Sequence, residues 1–263
     1  MKPLAIDLFC GLGGWTSGLL AEGYDVIGFD IERHVYGEHR YPAQLVIQDV
    51  LTLHGSQFRD ASLIVASPPC QEFSYMAMPW SRAKAKAAAI RADETGQMRA
   101  DLTRLFDAGF RIQREACEAA GRHIPMVVEN VRGANEWVGR SRWSFGSFHL
   151  WGDVPTLMPS TAGASKMPGH SMSKGAPKWN TQHSESCVTI GLDGLKQPGI
   201  NLSDVGFNVA AASEFGHMVE GAEYRRSDDD KRQHIGVKRK FASAMIAKIP
   251  EPLSRHIAAT FRP

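Results

Sequence analysis

A short apolar run, Leu4-Ala5-Ile6-Asp7-Leu8-Phe9, breaks into Gly11-Leu12-Gly13-Gly14 and then resumes from Trp15 to Glu22 with helical spacing. That succession reads as strand, tight loop and helix. Tyr24 to Phe29, closed by Asp30, reads as a second strand, Leu45 to Val50 as a third, and Ser62 to Ala66 as a fourth, stopped by Ser67-Pro68-Pro69. Residues 83–92 are rich in alanine and lysine and suit an exposed helix or a loop that orders on binding. Over 99–120, Leu102, Leu105, Phe106, Phe110 and Ile112 give the spacing of an amphipathic helix. Met126-Val127-Val128 adds a strand that ends at Glu129-Asn130. Strands alternating with helices predict an α/β fold with a doubly wound, parallel-rich sheet. Ligands of such sheets lie at the carboxyl ends of the strands, and the polar motifs of this chain fall there.

The chain has 263 residues, 43% hydrophobic and 22% charged, which argues against global disorder and leaves room for one core domain with a small lobe. A formal net charge of +2 means that a nucleic-acid partner needs a local basic patch, because the average surface is nearly neutral. Cys10, Cys70, Cys117 and Cys187 are scattered and form no C-x-x-C pair, so reduced thiols are expected, with no disulfide framework and no bound metal. The N-terminus lacks signal-peptide architecture and no apolar run has the length of a membrane span. A soluble, cytoplasmic chain acting as a monomer, with no membrane partner, is the expectation. From about 155 to 235, Gly, Ser, Pro and Asn become frequent and periodicity fades, as in Pro159-Ser160-Thr161-Ala162-Gly163, which suits a loop-rich lobe. Helical patterning returns from Phe241 to Phe261.

Four constellations carry chemistry. The glycines after Phe9 let a backbone approach a ligand closely with its N–H groups forward, although a plain strand-to-helix turn looks the same. Asp30 stands where an acid grips ribose hydroxyls, and Asp49 where one could accept from an adenine amino group; each also suits a solvated loop carboxylate. In Ser67-Pro68-Pro69-Cys70-Gln71-Glu72-Phe73-Ser74 a cysteine follows a strand directly, where backbone N–H groups would stabilise its thiolate and two prolines fix its direction. Glu129 ends another strand, as a cap or, if the strands are neighbours, as a partner of Cys70 in one cleft. Arg140-Ser141-Arg142 is either a surface basic pair or a set of guanidinium donors.

The order of these blocks resembles the DNA cytosine C5-methyltransferase family, most specifically in Pro69-Cys70-Gln71 and Glu129-Asn130-Val131. The resemblance covers residues 4–150 and resumes at Ala247-Lys248-Ile249-Pro250-Glu251-Pro252-Leu253, which is similar to the family's last motif. It implies methyl transfer from S-adenosylmethionine to a cytosine flipped out of double-stranded DNA, in a setting such as restriction-modification. By position, Cys70 would attack C6 of the base, Glu129 would hold N3, and Arg142, with Arg140 beside it, would meet the O2 side. Phe9, Gly11 and Gly13 would cradle the cofactor, with Asp30 at the ribose, Asp49 at the adenine and Leu105 lining the pocket, and Gly14, Ile31, Val50 and Pro69 would also belong to the cofactor site. The implied division is a catalytic and cofactor-binding domain over 1–154, a target-recognition lobe over 155–235 and a returning segment over 236–263. Lys166, Lys174, Lys178, Arg225 and Arg226 of the lobe would meet phosphates, and Asn180, Gln182, His183 and Ser184 base edges.

Departures from the family pattern are Val138 where Gln stands before Arg-x-Arg, and Ile246-Ala247 where Gly-Asn is usual. These leave open an RNA substrate or a modified donor on the same scaffold. A nicotinamide-dependent oxidoreductase would explain the glycine loop and Asp30 but neither Pro-Pro-Cys-Gln nor Glu-Asn-Val. A catalytically dead DNA-binding relative would have no use for both Cys70 and Glu129.

Overall fold

The computed structural model describes residues 2–74, 80–145, 148–158, 188–190, 196–198, 244 and 248–263. The chain divides into one compact unit of residues 1–160 with 251–263 and a second of residues 161–250.

The first unit begins with β1 (Leu4–Leu8), the glycine turn, α1 (Gly14–Ala21) and β2 (Asp25–Asp30). A small hairpin of β3 (Val35–Tyr36) and β4 (His39–Arg40) follows, then β5 (Gln44–Ile47) and β6 (Ala61–Ala66). Helices α2 (Trp80–Ala92) and α3 (Gln97–Ala120) lead to β7 (Met126–Asn130), α4 (Asn135–Val138), β8 (Trp143–Phe145) and β9 (Phe148–Gly152). The sheet order is β5-β2-β1-β6-β7-β9-β8. The strands from β5 to β7 pair in parallel, β9 runs antiparallel to β7, and β8 antiparallel to β9. This is the α/β, parallel-rich sheet expected from the alternation of strands and helices.

Burial explains the sequence pattern. Ala5, Leu8, Leu63, Ile64, Val65, Val127 and Val128 show no exposed surface, because helices cover both faces of the central strands. Such strands read as continuous apolar runs rather than alternating ones. Helix α3 turns Phe106, Ala108, Gly109, Ile112 and Ala116 inward and stops at Gly121, whose φ of 63° is the left-handed cap that glycine adopts cheaply. The basic residues of α2 lie on a helix, the first of the two forms expected for 83–92.

The third strand departs from expectation. β5 ends at Ile47, short of the predicted Val50, because the Asp49 carboxylate accepts the Leu51 N–H at 2.9 Å and starts a 3₁₀ turn over Val50–Thr52. β8 and β9 are not legible in the sequence: one is three residues long, and the other is buried throughout its first four residues and does not alternate.

The helix α5 (Glu251–Thr260) closes the first unit by packing on α1. The approach is close enough to require Gly18, where a Cβ would stand 2.5 Å from the Arg255 nitrogen. The Tyr24 hydroxyl donates to the Ala258 carbonyl at 3.0 Å and Arg255 pairs with Glu22 at 2.8 Å. Among the described residues no helix is long and apolar enough to cross a membrane. Of the expected recognition lobe, an antiparallel pair β10 (Val188–Ile190) and β11 (Lys196–Pro198) is described. The lobe residues singled out for phosphate and base contacts lie outside the described residues, as do Ile246 and Ala247.

Candidate active site

Because β1, β2, β6 and β7 run in parallel, the glycine loop, Asp30, the Cys70 turn and Glu129-Asn130 all emerge at one edge of the sheet. The register pairs Ala66 with Val128, so the chain segments bearing Cys70 and Glu129 leave the sheet from neighbouring strands.

The glycine loop turns through left-handed backbone at Phe9 (φ 57°), Gly11 (φ 52°) and Gly13 (φ 75°). Gly11 donates its N–H to Asp30 Oδ2 at 2.8 Å, which couples the loop to the end of β2. The Glu32 N–H reaches Asp30 Oδ1 at 3.3 Å, and His34 Nε2 lies 3.7 Å from the same oxygen. The glycines differ in purpose. Nothing stands within 4 Å of a Cβ built on Gly11, so its face opens outward. A Cβ on Gly13 would stand 2.6 Å from Pro42 Cδ, so Gly13 serves packing against Tyr41 and Pro42. Gly14 is the buried first residue of α1.

The other residues expected around a cofactor divide in the same way. Ile31 is 69% exposed beside Asp30, an apolar side chain left bare at the mouth of the edge. Leu105 on α3 is half-buried and Pro69 is exposed. Val50, expected in the cofactor site, is 2% exposed within the main core cluster, since the 3₁₀ turn rolls it inward. Asp49 gives one carboxylate oxygen to the cap of that turn. Open space over Gly11, a carboxylate on the adjoining strand end and bare apolar surface beside it fit an adenosyl group: diol to carboxylate, base to Ile31.

Beneath this loop lies a sealed polar cluster. Asp7 has no exposed surface; the Thr16 hydroxyl donates to its Oδ2 at 2.6 Å, and the Tyr41 hydroxyl in turn meets Thr16 at 2.6 Å. Asp7 Oδ1 has no hydrogen-bond partner among the described residues. Burial pushes this carboxyl up to about 7.

The Cys70 turn is pinned from both sides. The Asn130 side-chain amide donates to the Pro68 carbonyl at 2.9 Å, tying the turn to β7. Beyond it, the N–H groups of Phe73 and Ser74 both reach the Cys70 carbonyl, at 3.0 and 2.9 Å, and Phe73 is buried in the core. Cys70 is half-buried. Its thiol is pushed up by burial and secondarily by Glu129, so the expectation of a thiolate stabilised by turn amides is corrected: loss of solvent outweighs the turn's N–H groups.

Glu129 is 8% exposed, and burial pushes its carboxyl up to about 8 against a hydrogen bond from Ser67. Ser67 also accepts from Trp15 Nε1 at 2.9 Å, which fixes the hydroxyl that faces Glu129. Burial thus biases both groups, at the ends of adjoining strands, toward their protonated forms.

The two arginines sit differently. Arg140 and Arg142 are exposed on the segment before β8, an edge strand separated from β7 by β9. Among the described contacts neither guanidinium touches Cys70 or Glu129. The residues that β9 brings beside the end of β7 are Leu150, in register with Glu129, and His149, in register with Asn130. His149 and Arg132, the latter three residues after Glu129, were not legible as site residues, because neither belongs to a recognisable motif. On α2, Lys86 is ion-paired with Glu72 and Arg91 with Glu136, so two of its cations are engaged within the fold.

The fold and this edge define an α/β chain with a nucleotide-type glycine loop beside a half-buried cysteine and a buried carboxyl. Residues 4–87 match the family model for C-5 cytosine-specific DNA methylase, and the resemblance read from the motifs is borne out over that stretch. Among solved structures, a prophage-encoded E. coli chain classed with DNA modification methyltransferases is 23% identical over 51% of this chain and 33% of that one, with a TM-score of 0.33. The Entamoeba histolytica methyltransferase EhMeth is 17% identical over 53% of this chain and 41% of that one, with a TM-score of 0.34. The S. pombe Dnmt2 methyltransferase is 10% identical over 98% of both chains, with a TM-score of 0.43. The matched region spans about a third of the first of these and about two fifths of the second. A comparison with curated proteins finds no match.

Proposed function

We propose that this chain transfers a methyl group from S-adenosylmethionine to C5 of cytosine in double-stranded DNA, through a covalent bond between Cys70 and C6. The observation that carries the reading is the placement of a half-buried Cys70 and a buried Glu129, whose carboxyl burial pushes up to about 8, at adjoining strand ends on the sheet edge that also holds the open face of Gly11. C5 of cytosine is a poor nucleophile. Attack by the Cys70 sulfur on C6 forms the S–C6 bond and pushes an electron pair toward N3, while Glu129 gives its proton to N3, leaving an electron-rich C5. S-adenosylmethionine supplies the electrophilic methyl group. Loss of the C5 proton to a water-borne base then expels the Cys70 sulfur as thiolate, and N3 returns its proton to the Glu129 carboxylate, which regenerates the base and the acid.

The raised thiol fits this sequence. Burial keeps Cys70 as a thiol in the resting site, so its proton has to pass to water as the base arrives, since Glu129 already carries its own. A cationic Arg142 or Arg140 reaching the O2 side would offset the charge that develops there. The target carbon is stacked inside a duplex, so the base must be flipped out at a cost of a few kcal/mol, and the exposed Arg82 of α2 would meet a phosphate beside it. Duplex DNA carrying 5-fluorocytosine tests the reading. With S-adenosylmethionine present, a protein–DNA adduct that survives denaturation is expected, since fluorine at C5 blocks the elimination. No adduct with the intact chain, alongside no transfer of labelled methyl to ordinary DNA, would overturn it.

A further inference from the structure

The segment Arg140-Ser141-Arg142 has no regular structure of its own, yet three bonds fix it. The Ser141 N–H donates to Asn135 Oδ1 at 2.6 Å, the Arg142 N–H donates to the Leu150 carbonyl at 2.8 Å, and the Ser141 hydroxyl is hydrogen-bonded to His149 Nδ1 at 3.0 Å. Two of the three end on consecutive β9 residues, Leu150 and His149. Those are the register partners of Glu129 and Asn130, the first holding the protonated acid and the second holding the Cys70 turn.

We propose that His149 is a positioning residue: through its bond to Ser141 it sets the Arg140–Arg142 segment in register with the strand end that carries Glu129. His149 is 9% exposed, its ring packs near Trp151 with centroids 6.3 Å apart, and Ser141 provides the polar partner a buried imidazole requires. The charged groups on the elements around it are Arg132 after β7, Glu129 on β7, and Arg140 and Arg142 on the held segment. Burial, and then Arg132, push His149 down, so it stays neutral and keeps one ring nitrogen committed to Ser141. Protonation would set a buried cation against the Arg132 guanidinium and loosen the segment. The link to catalysis rests on the function proposed above; the positioning itself does not.

The test is amide hydrogen exchange on the free full-length chain, with methyl transfer measured alongside. In His149→Ala the Ser141 and Arg142 amides should exchange about tenfold faster, the effect of losing one hydrogen bond, while the Glu129 and Asn130 amides keep their protection. His149→Asn, whose side-chain amide stands near the place of Nδ1, should restore protection. It should also abolish the acid-induced loss of protection expected of the unmodified chain. Ser141→Ala should reproduce His149→Ala and serves in its place if that variant fails to fold. In turnover, kcat should fall about tenfold with KM for DNA little changed. Unaltered exchange at 141 and 142, or equal loosening along β7, would overturn the proposal. An unmodified chain that methylates nothing but shows the exchange pattern would sink the function and leave the positioning intact.

Discussion

Two carboxyl groups are buried at the same sheet edge, and they are built for different ends. Asp7, under the glycine loop, has no exposed surface and is bonded to Thr16 inside a closed cluster with Tyr41. Glu129, one strand beyond β6, keeps a sliver of exposure and lies close enough to Cys70 to influence its thiol. Burial raises both, to about 7 and about 8. A raised carboxyl is therefore no guide to chemistry by itself; what distinguishes the two is whether the proton has a way out to a substrate. Asp7 is enclosed on every side, whereas Glu129 keeps 8% of its surface exposed.

The largest effect should separate them by activity. Cys70→Ala should lower methyl transfer by at least about a thousandfold, and Glu129→Gln by roughly a hundredfold or more, the ranges for losing a nucleophile and a positioned acid. Asp7→Asn, measured on the same DNA, should stay within about tenfold of the unmodified chain, since nothing it touches meets substrate. Should the Asp7 variant lose as much kcat as the Glu129 variant with its fold intact, the contrast drawn between sealed and open carboxyls would be wrong.

Stability against pH sharpens the same comparison. A carboxyl whose folded value lies above its unfolded value contributes stability that is complete below the unfolded value and is lost as pH rises through the folded one. For Asp7 the loss runs from about 4 to about 7, and for Glu129 from about 4.5 to about 8. Each pH unit in the window costs up to about 1.4 kcal/mol per group. Thermal melts across pH 4 to 9 should show Asp7→Asn and Glu129→Gln gaining on the unmodified chain as pH rises. The gain should level off near 7 for the first and near 8 for the second. Parallel curves with no change in the gap would mean that neither group carries its proton in the fold.

Much of this was legible in the residues. The apolar runs gave β1, β2, β6 and β7 because strands covered on both faces must be apolar throughout, and the glycine and proline breaks marked where they stop. Cys70 and Glu129 stood out because each ends such a run, and parallel pairing then brings them together. The Asp49 cap that rolls Val50 into the core depends on one side-chain hydrogen bond that no periodicity reports. His149 belongs to a buried edge hairpin whose second strand does not alternate, so neither its strand nor its bond to Ser141 could be read in advance. The two roles of Gly11 and Gly13 are equally hidden, since both are glycines at positive φ and only the neighbours differ.

Those two glycines supply a smaller contrast. Gly13→Ala has to push a methyl group into Pro42 and hold a left-handed backbone, which should cost roughly 2–4 kcal/mol of stability from overpacking and strain together. Gly11→Ala meets no atom and should cost only about 1–2 kcal/mol, the backbone penalty alone, while weakening S-adenosylmethionine measurably because its methyl group fills the open face. Chemical denaturation and calorimetry on the two variants separate the cases. Equal stability losses would show that the loop's glycines are interchangeable.

Asp30 raises a finer question, whether its carboxylate works for the loop or for the ligand. Its Oδ2 already accepts the Gly11 N–H and its Oδ1 the Glu32 N–H, but each oxygen has a second lone pair free for a ribose hydroxyl. Asp30→Ala removes both services and should weaken S-adenosylmethionine by about 1–3 kcal/mol, the range for stranding a polar partner. Asp30→Asn separates them. Its amide oxygen can still accept from Gly11 and so keep the loop in place, while its NH₂ end meets the ligand with donors where a diol needs an acceptor. If the carboxylate serves the ligand, Asn should lose nearly as much affinity as Ala in calorimetry without DNA, with the melting temperature little changed. If it serves only the loop, Asn should bind like the unmodified chain and Ala should lose stability and affinity together. An unchanged affinity in both variants, or tight binding of a nicotinamide nucleotide by the unmodified chain, would remove this edge from consideration as the donor site.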